Sequence, residues 1–179
     1  GVDLSGACLA SAKLEEAKLV GAVVDNTDLR RADLSRADLR GLDFTKVMLQ
    51  GANCSGALLT RANLQGQDLS GVNFREAEMA EADFRDANVT GAQFSGANLR
   101  GAEFSGQDLR DADFYAADLS GANLQNANLE GADLRDAILC DALLKGATLD
   151  KAQLKGANLE GVALPMRSRV SLWMPKKRT

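Results

Sequence analysis

From Leu4 to Leu164 an apolar residue returns at every fifth position without slippage, and a small residue, usually Ala, stands two places before it. The stretch 121–136, GANLQNANLEGADLRD, carries three consecutive copies of the beat. With the apolar residue taken as the centre of each unit there are 33 units, and the centre is Leu in 23, Phe in 6, Val in 2, Cys in 1 and Met in 1. No centre is polar, and 25 of the residues two places earlier are Ala.

A five-residue period excludes the two regular elements. Residues five apart in an α-helix lie about 140° apart around the axis, so the apolar positions would smear over every face. In a continuous strand, positions five apart point to opposite faces and could not share one core. What fits is a short extended piece that points Ala and the centre inward, followed by a turn that re-aims the chain. All 17 glycines fall in one phase, the second residue after a centre, which marks that residue as a corner. Arg31, Lys46, Glu81 and Lys151 share the phase, so the expectation is a corner that alternates between turn types, only some of them left-handed.

The tandem A(D/N)LXX pattern over Val2 to Pro165 resembles the pentapeptide-repeat family. The resemblance implies an all-β fold, a right-handed quadrilateral β-helix with one unit per side, hence about eight coils in a single rod without inserted loops. Residues 1–165 are then one β-helical domain and 166–179 a C-terminal cap or tail. The four sides are named here by their first centres: Leu4, Leu9, Leu14 and Leu19 open the first to fourth sides.

Twenty residues per coil sort the irregular positions. Phe44, Phe84 and Phe104 fall on the first side and Phe74, Phe94 and Phe114 on the third, so two aromatic ladders should face each other across the core. On the second side Thr27, Val47, Gln67 and Gln107 replace the inward Ala, and the buried amides should bond backbone groups of adjacent coils. Cys54 is a centre and should be buried, whereas Cys8 and Cys140 point outward many coils apart. Three unpaired thiols fit a reducing, cytoplasmic setting. Gly1 already sits in phase, and the expectation is that the array belongs to a larger protein or has that end covered by a partner. The beat stops at Pro165. In the tail Val170, Leu172 and Met174 alternate around Ser171 and Trp173, as in a strand laid over the open end or in a homodimer contact through that end.

Little in the composition points to chemistry. There is no His, and the Ser and Gly residues follow the repeat and not a nucleophile or phosphate motif. Asp113 and Asp133, one coil apart, could be read as an acid pair, but they stand on a featureless outward face. No enzyme activity, metal, cofactor or small-molecule substrate is expected, and no run of 18 apolar residues suggests a membrane span.

Some members of the family resemble a DNA duplex in size and acidity and protect type II topoisomerases such as gyrase from quinolones. Residues 1–165 carry a net charge of −9 and the tail brings it to −4. The first to fourth sides carry −3, −2, −2 and −2, with Arg30, Arg40, Arg75, Arg85, Arg100 and Arg110 interleaved among the acids. Charge spread in this way suits solubility better than imitation of phosphate rows. The favoured reading is a rigid scaffold that contacts a protein partner, without direct nucleic-acid binding, and the DNA mimic is the alternative. The contact candidates are the outward apolar residues Ile138, Cys140 and Leu143, with Leu172, Trp173 and Met174 of the tail. Val20 and Val23 form a similar pair near the other end.

Overall fold

The computed structural model describes residues 1–165; the tail 166–179, with Leu172, Trp173 and Met174, lies outside the described residues. The described residues hold no helix, and every fifth residue from Asp3 to Asn158 makes a β-bridge. The bridges are parallel and join residues twenty apart, as in Asp3↔Val23, Cys8↔Asp28, Lys13↔Asp33 and Lys18↔Asp38. The chain is therefore β-helical, with four five-residue units to each turn. At the ~4.8 Å spacing of neighbouring strands, eight coils make a rod roughly 40 Å long.

The corner differs from the sequence expectation. Every corner from Gly6 to Gly161 except Lys46 has positive φ, including 15 that are not glycine, such as Arg31 (58°), Glu81 (60°) and Lys151 (59°). The reason is the double duty of the turn. The residue after the corner closes it, as when Ala7 N–H donates to Leu4 O at 2.9 Å, while the corner's own N–H reaches the next coil, as Gly6 N–H does to Asp25 O at 2.8 Å. A type II turn, with φ > 0 at its third residue, meets both demands, and inter-coil bonding holds ordinary residues in a conformation they otherwise avoid.

Ala and the centre alternate inward along each unit and are almost fully buried through the middle of the rod. The aromatic ladders form from Phe74 to Phe114, whereas Phe44, two coils below Phe84, is buried but joins none of the ring contacts. Phe84 stacks on Phe104 at 4.4 Å, Phe74 on Phe94 at 5.5 Å and Phe94 on Phe114 at 5.2 Å, and the ladders meet edge to face at 5.6–6.3 Å. Such geometry matches the ring quadrupoles and adds to the burial of the rings themselves. Cys54 is buried, and desolvation pushes its thiol up to about 12, so it packs as a small apolar centre. Thr27 Oγ1 donates to Leu4 O at 2.9 Å, Gln67 Nε2 to Thr45 O at 2.9 Å and Gln107 Nε2 to Phe84 O at 2.6 Å, so the inward polar groups of the second side are satisfied by the preceding coil.

The wall is bonded unevenly. On the third and fourth sides each centre N–H donates to the next coil, from Leu14→Asp33 to Leu134→Gln153 and from Leu19→Asp38 to Leu139→Asn158. Within the rod, among the described residues and apart from Leu144 beneath its last residues, Val24 and Phe44 of the first side and Leu49 and Val89 of the second make no such bond. The bridges 23↔43, 48↔68 and 88↔108 are missing from the same places. Each gap lies beneath one of the three longest inward corner residues: Leu42 over Val24, Gln67 over Phe44 and Leu49, and Gln107 over Val89. The shorter Thr27, Val47 and Val72 leave Leu9→Asp28 (2.8 Å), Leu29→Met48 (2.9 Å) and Cys54→Asn73 (2.8 Å) intact. An inward corner that fits a methyl group separates the coils when it must hold a four- or five-atom side chain.

Candidate interaction surface

Outward positions flank each centre, and the residue just before the centre is usually Asp or Asn. That choice has a local cause. The side-chain Oδ1 of an Asp or Asn there accepts the backbone N–H two residues on, as in Ser5 N–H→Asp3 Oδ1 at 2.9 Å and Ser120 N–H→Asp118 Oδ1 at 2.9 Å, which pins the start of the turn. On the third side the side-chain amides chain together up the rod: Asn73 Nδ2 donates to Asn53 Oδ1 and Asn53 Nδ2 to Asp33 Oδ1, both at 3.0 Å.

An Arg two residues after such an Asp folds back onto it. Arg30–Asp28, Arg40–Asp38, Arg85–Asp83, Arg110–Asp108 and Arg135–Asp133 are two-pronged pairs with closest N–O distances of 2.5–2.7 Å. Hydrogen bonds from the Arg30 side chain, then from its backbone N–H, bring the Asp28 carboxyl down to about 2. The same pairing holds Asp38, Asp83, Asp108 and Asp133 below the usual carboxylate range. Asp113 is engaged by Ser95 Oγ at 3.3 Å and by Arg75 at 3.6 Å, and Asp133 by Arg135. The two acids share a bridge between coils, yet each carboxylate is held by its own partners.

Ile138 and Leu143 take the Asp/Asn position of their units and stand 40% and 47% exposed. Their backbones are ordinary rungs: Ile138 N–H donates to Ala117 O and Leu143 N–H to Ala122 O, both at 2.9 Å. The side chains alone are out of character. Ile138 and half-buried Cys140 line a hollow of about 370 Å³ with Arg100 and Asp118. Leu143 lines a neighbouring hollow of about 360 Å³ with Gln125, Lys145 and Ala163, and Asp141 borders both. The three predicted residues thus meet around one corner, between the fourth side and the first. Val20 and Val23, 54% and 49% exposed, lie on the same edge six coils below.

Three exposed apolar residues escape the sequence reading, Val2 at 53% in the first coil, Met48 at 36% and Tyr115 at 44%. Met48 could have been found, because it too replaces the Asp/Asn before a centre. Tyr115 lies under the Arg135 guanidinium, 5.6 Å from the ring centroid, an arrangement that needs the coil register to be seen. Among the described residues no group of His, Cys, Asp or Glu is placed to hold a metal ion, and no helix is long and apolar enough to cross a membrane.

Parallel single-residue bridges at a twenty-residue spacing, with four corners per coil, define a β-helical solenoid built from five-residue units. Family models for pentapeptide repeats match residues 41–114 (the pentapeptide repeat region) and residues 1–36 and 122–161 (pentapeptide repeats, 8 copies). The chain belongs to the pentapeptide-repeat family. Among solved structures it is similar to a trypsin-treated form of QnrB1, a plasmid-mediated fluoroquinolone resistance protein, at 21% identity over 91% of this chain and 76% of that one, with a TM-score of 0.61. HetL, a pentapeptide-repeat protein involved in heterocyst differentiation regulation in the cyanobacterium Nostoc sp. strain PCC 7120, is 31% identical over 89% of this chain and 83% of its own, with a TM-score of 0.32. Rfr23 from the cyanobacterium Cyanothece 51142 is 33% identical over 59% of this chain and 61% of its own, with a TM-score of 0.36. A sequence comparison with curated proteins returns no match.

Proposed function

We propose that the chain is a non-catalytic scaffold, a right-handed four-sided β-helix that presents an apolar edge to a protein partner. The observation that supports this reading is the pairing of surface charge beside an unpaired apolar edge. Five of the outward Asp residues are chelated by the Arg two places on, while Ile138, Cys140 and Leu143 break the polar rule together around one corner. Apolar side chains at positions that the repeat fills with Asp or Asn are what a contact surface calls for, since the fold itself gains nothing from their exposure. The setting is a reducing one, the cytoplasm, with the rod part of a larger protein and contact with a second copy made through the C-terminal end.

A photo-crosslinking residue at Ile138 tests the edge. It should give a discrete adduct in cells that express the protein, the adduct should vanish with Leu143→Asp, and the same probe at the exposed Thr60 should give none. Adducts of equal yield from both positions would end the edge assignment.

Topoisomerase protection is the second reading, and the likeness to QnrB1 at a TM-score of 0.61 is the observation in its favour. It requires a concentrated negative field that competes with DNA for a basic groove. A supercoiling assay separates the readings. The scaffold leaves gyrase activity and its quinolone sensitivity unchanged. Inhibition at micromolar protein that fades as salt rises would establish the mimic, with Asp28, Asp68 and Asp108 of the second side as its first contacts.

A further inference from the structure

The three gaps in the wall are not scattered. Two stack on the first and second sides and the third lies on the second, so one flank of the rod is interrupted three times, while on the opposite flank every centre from Leu14 to Leu139 donates to the next coil and every bridge is present. At each gap the lower lip holds N–H groups that elsewhere donate upward. At the gap under Gln107 these are Asp86, Val89 and Gly91, facing the carbonyls of Ser105, Asp108 and Arg110. A hollow of about 260 Å³ opens there, lined by Val89–Ala92 below and Asp108–Ala112 above. At the gap under Gln67 a hollow of about 570 Å³ reaches Met48, Gln50 and Asp68, and Gln50 Oε1 is buried without a hydrogen-bond partner. Lys46, the one corner without positive φ, lies on the lower lip of that gap. Lost rungs, an unsatisfied amide oxygen and a changed turn coincide within one stretch of wall.

We propose that this flank is a built-in seam: the coils part there, reversibly and locally, while the third and fourth sides stay bonded as a continuous spine. The device is written in the inward corner column, where Leu42, Gln67 and Gln107 stand in for Ala. Opening is easy at the seam because the rungs that resist it elsewhere are missing. It stays local because Gln67 and Gln107 each tie the lips together with one side-chain bond, to Thr45 O and to Phe84 O. Rods of this architecture are stabilised unit by unit through nearest neighbours, so a weakened contact does not spread. The seam does not depend on which partner the scaffold serves.

Amide hydrogen exchange on the whole chain tests it, read at single residues under native conditions. Val89 and Gly91 should exchange at least about tenfold faster than Phe94 and Leu99 in the same coil, and Leu49 faster than Cys54 and Leu59 in its own by a similar factor. Gln107→Ala restores the residue found at positions 87 and 127 of the same column and should slow Val89 and Gly91 to the rates of their neighbours, leaving Leu49 fast. Gln67→Ala should do the converse. Uniform exchange around the coils would overturn the proposal. So would a Gln107→Ala variant that folds with the exchange of Val89 and Gly91 unchanged.

Discussion

Ala97→Leu should turn an intact stretch of wall into a gap. Ala97 is fully buried on the fourth side, in a column that is Ala at every coil from Ala17 to Ala157, and every centre of that side from Leu19 to Leu139 donates its N–H to the next coil. Leucine adds three carbons to a corner shaped for one. The rungs at risk are Glu76→Ser95 (3.0 Å), Met79→Asn98 (2.8 Å) and Glu81→Arg100 (2.7 Å), the counterparts of those missing beneath Leu42. Three lost bonds at about 1 kcal/mol each cost about 3 kcal/mol. Overpacking adds about 1–3 kcal/mol. Burial of the extra carbons returns about 2 kcal/mol. The net loss is about 2–4 kcal/mol, a fall in Tm of roughly 4–16 °C for a domain of this size. Thermal unfolding followed by circular dichroism gives the magnitude, and exchange at the Met79 and Glu81 amides gives the mechanism. The exposed Thr60→Leu is the control and should shift Tm by little. A variant as stable as its parent, or one destabilised with Met79 and Glu81 still protected, would show that inward side-chain length does not set the coil spacing.

The corners make a paired prediction. Ala116 is exposed with φ 55°, and Ala116→Gly should stabilise by about 0.5–1 kcal/mol, because glycine adopts that region freely. Gly121→Ala, with φ 66° and open space around the added methyl, should cost about 1 kcal/mol from backbone strain alone; opposite signs in urea unfolding are the check. The pH dependence follows from the chelated acids. A carboxyl depressed in the folded state contributes stability that is fully present above its unfolded value and lost as pH falls through the folded one. With Asp28 at about 2 against an ordinary 3.8, and four other paired Asp residues shifted the same way, Tm should hold from pH 7 to about 4 and decline towards pH 2. A Tm that rises on acidification would refute the pairing.

The inside of the rod was legible because a strict period leaves a core no alternative: the Phe ladders, buried Cys54 and the bonded Gln67 and Gln107 all follow from the phase and twenty residues per coil. The corner was misjudged for a physical reason. Arg31 and Glu81 are poor left-handed residues by intrinsic preference, and the sequence does not display the inter-coil bonds, Arg31 N–H to Gln50 O and Glu81 N–H to Arg100 O, that outweigh this preference there. The contact candidates Ile138, Cys140 and Leu143 were visible as breaks in an outward polar column. Their gathering into adjoining hollows depended on neighbours such as Arg100 and Ala163, which belong to other coils. The gaps in the wall were out of reach, since Leu42 and Gln107 read as tolerated core substitutions until the rungs beneath them are traced.

The same geometry explains why acid content and acidity of surface part company here. The five-residue unit places the residue before the centre and the residue after it on one outward strip, two positions apart. An Asp in the first place and an Arg in the second therefore meet without reaching across coils, and the Asp28–Arg30 pair needs no help from the rest of the fold. A sequence can accumulate aspartates for their turn-pinning bond to the backbone and cancel their charge unit by unit. The field then depends on the acids that lack such a neighbour. On the second side Asp68 is followed two places on by Ser70 and is held by amides, from Gln50 at 3.2 Å and Asn88 at 3.0 Å, which leaves its charge in place, whereas Asp28 and Asp108 are covered by guanidinium groups. One uncovered charge between two covered ones is not a phosphate row. Conversion of Arg30 and Arg110 to Ser, the residue found after Asp68, would uncover all three while keeping the turn bonds. If the wild-type rod fails to act on gyrase for want of a field, this double variant is the one that should begin to do so, in a manner that salt abolishes. Inhibition by neither form, at any ionic strength, would place the obstacle in shape and not in charge.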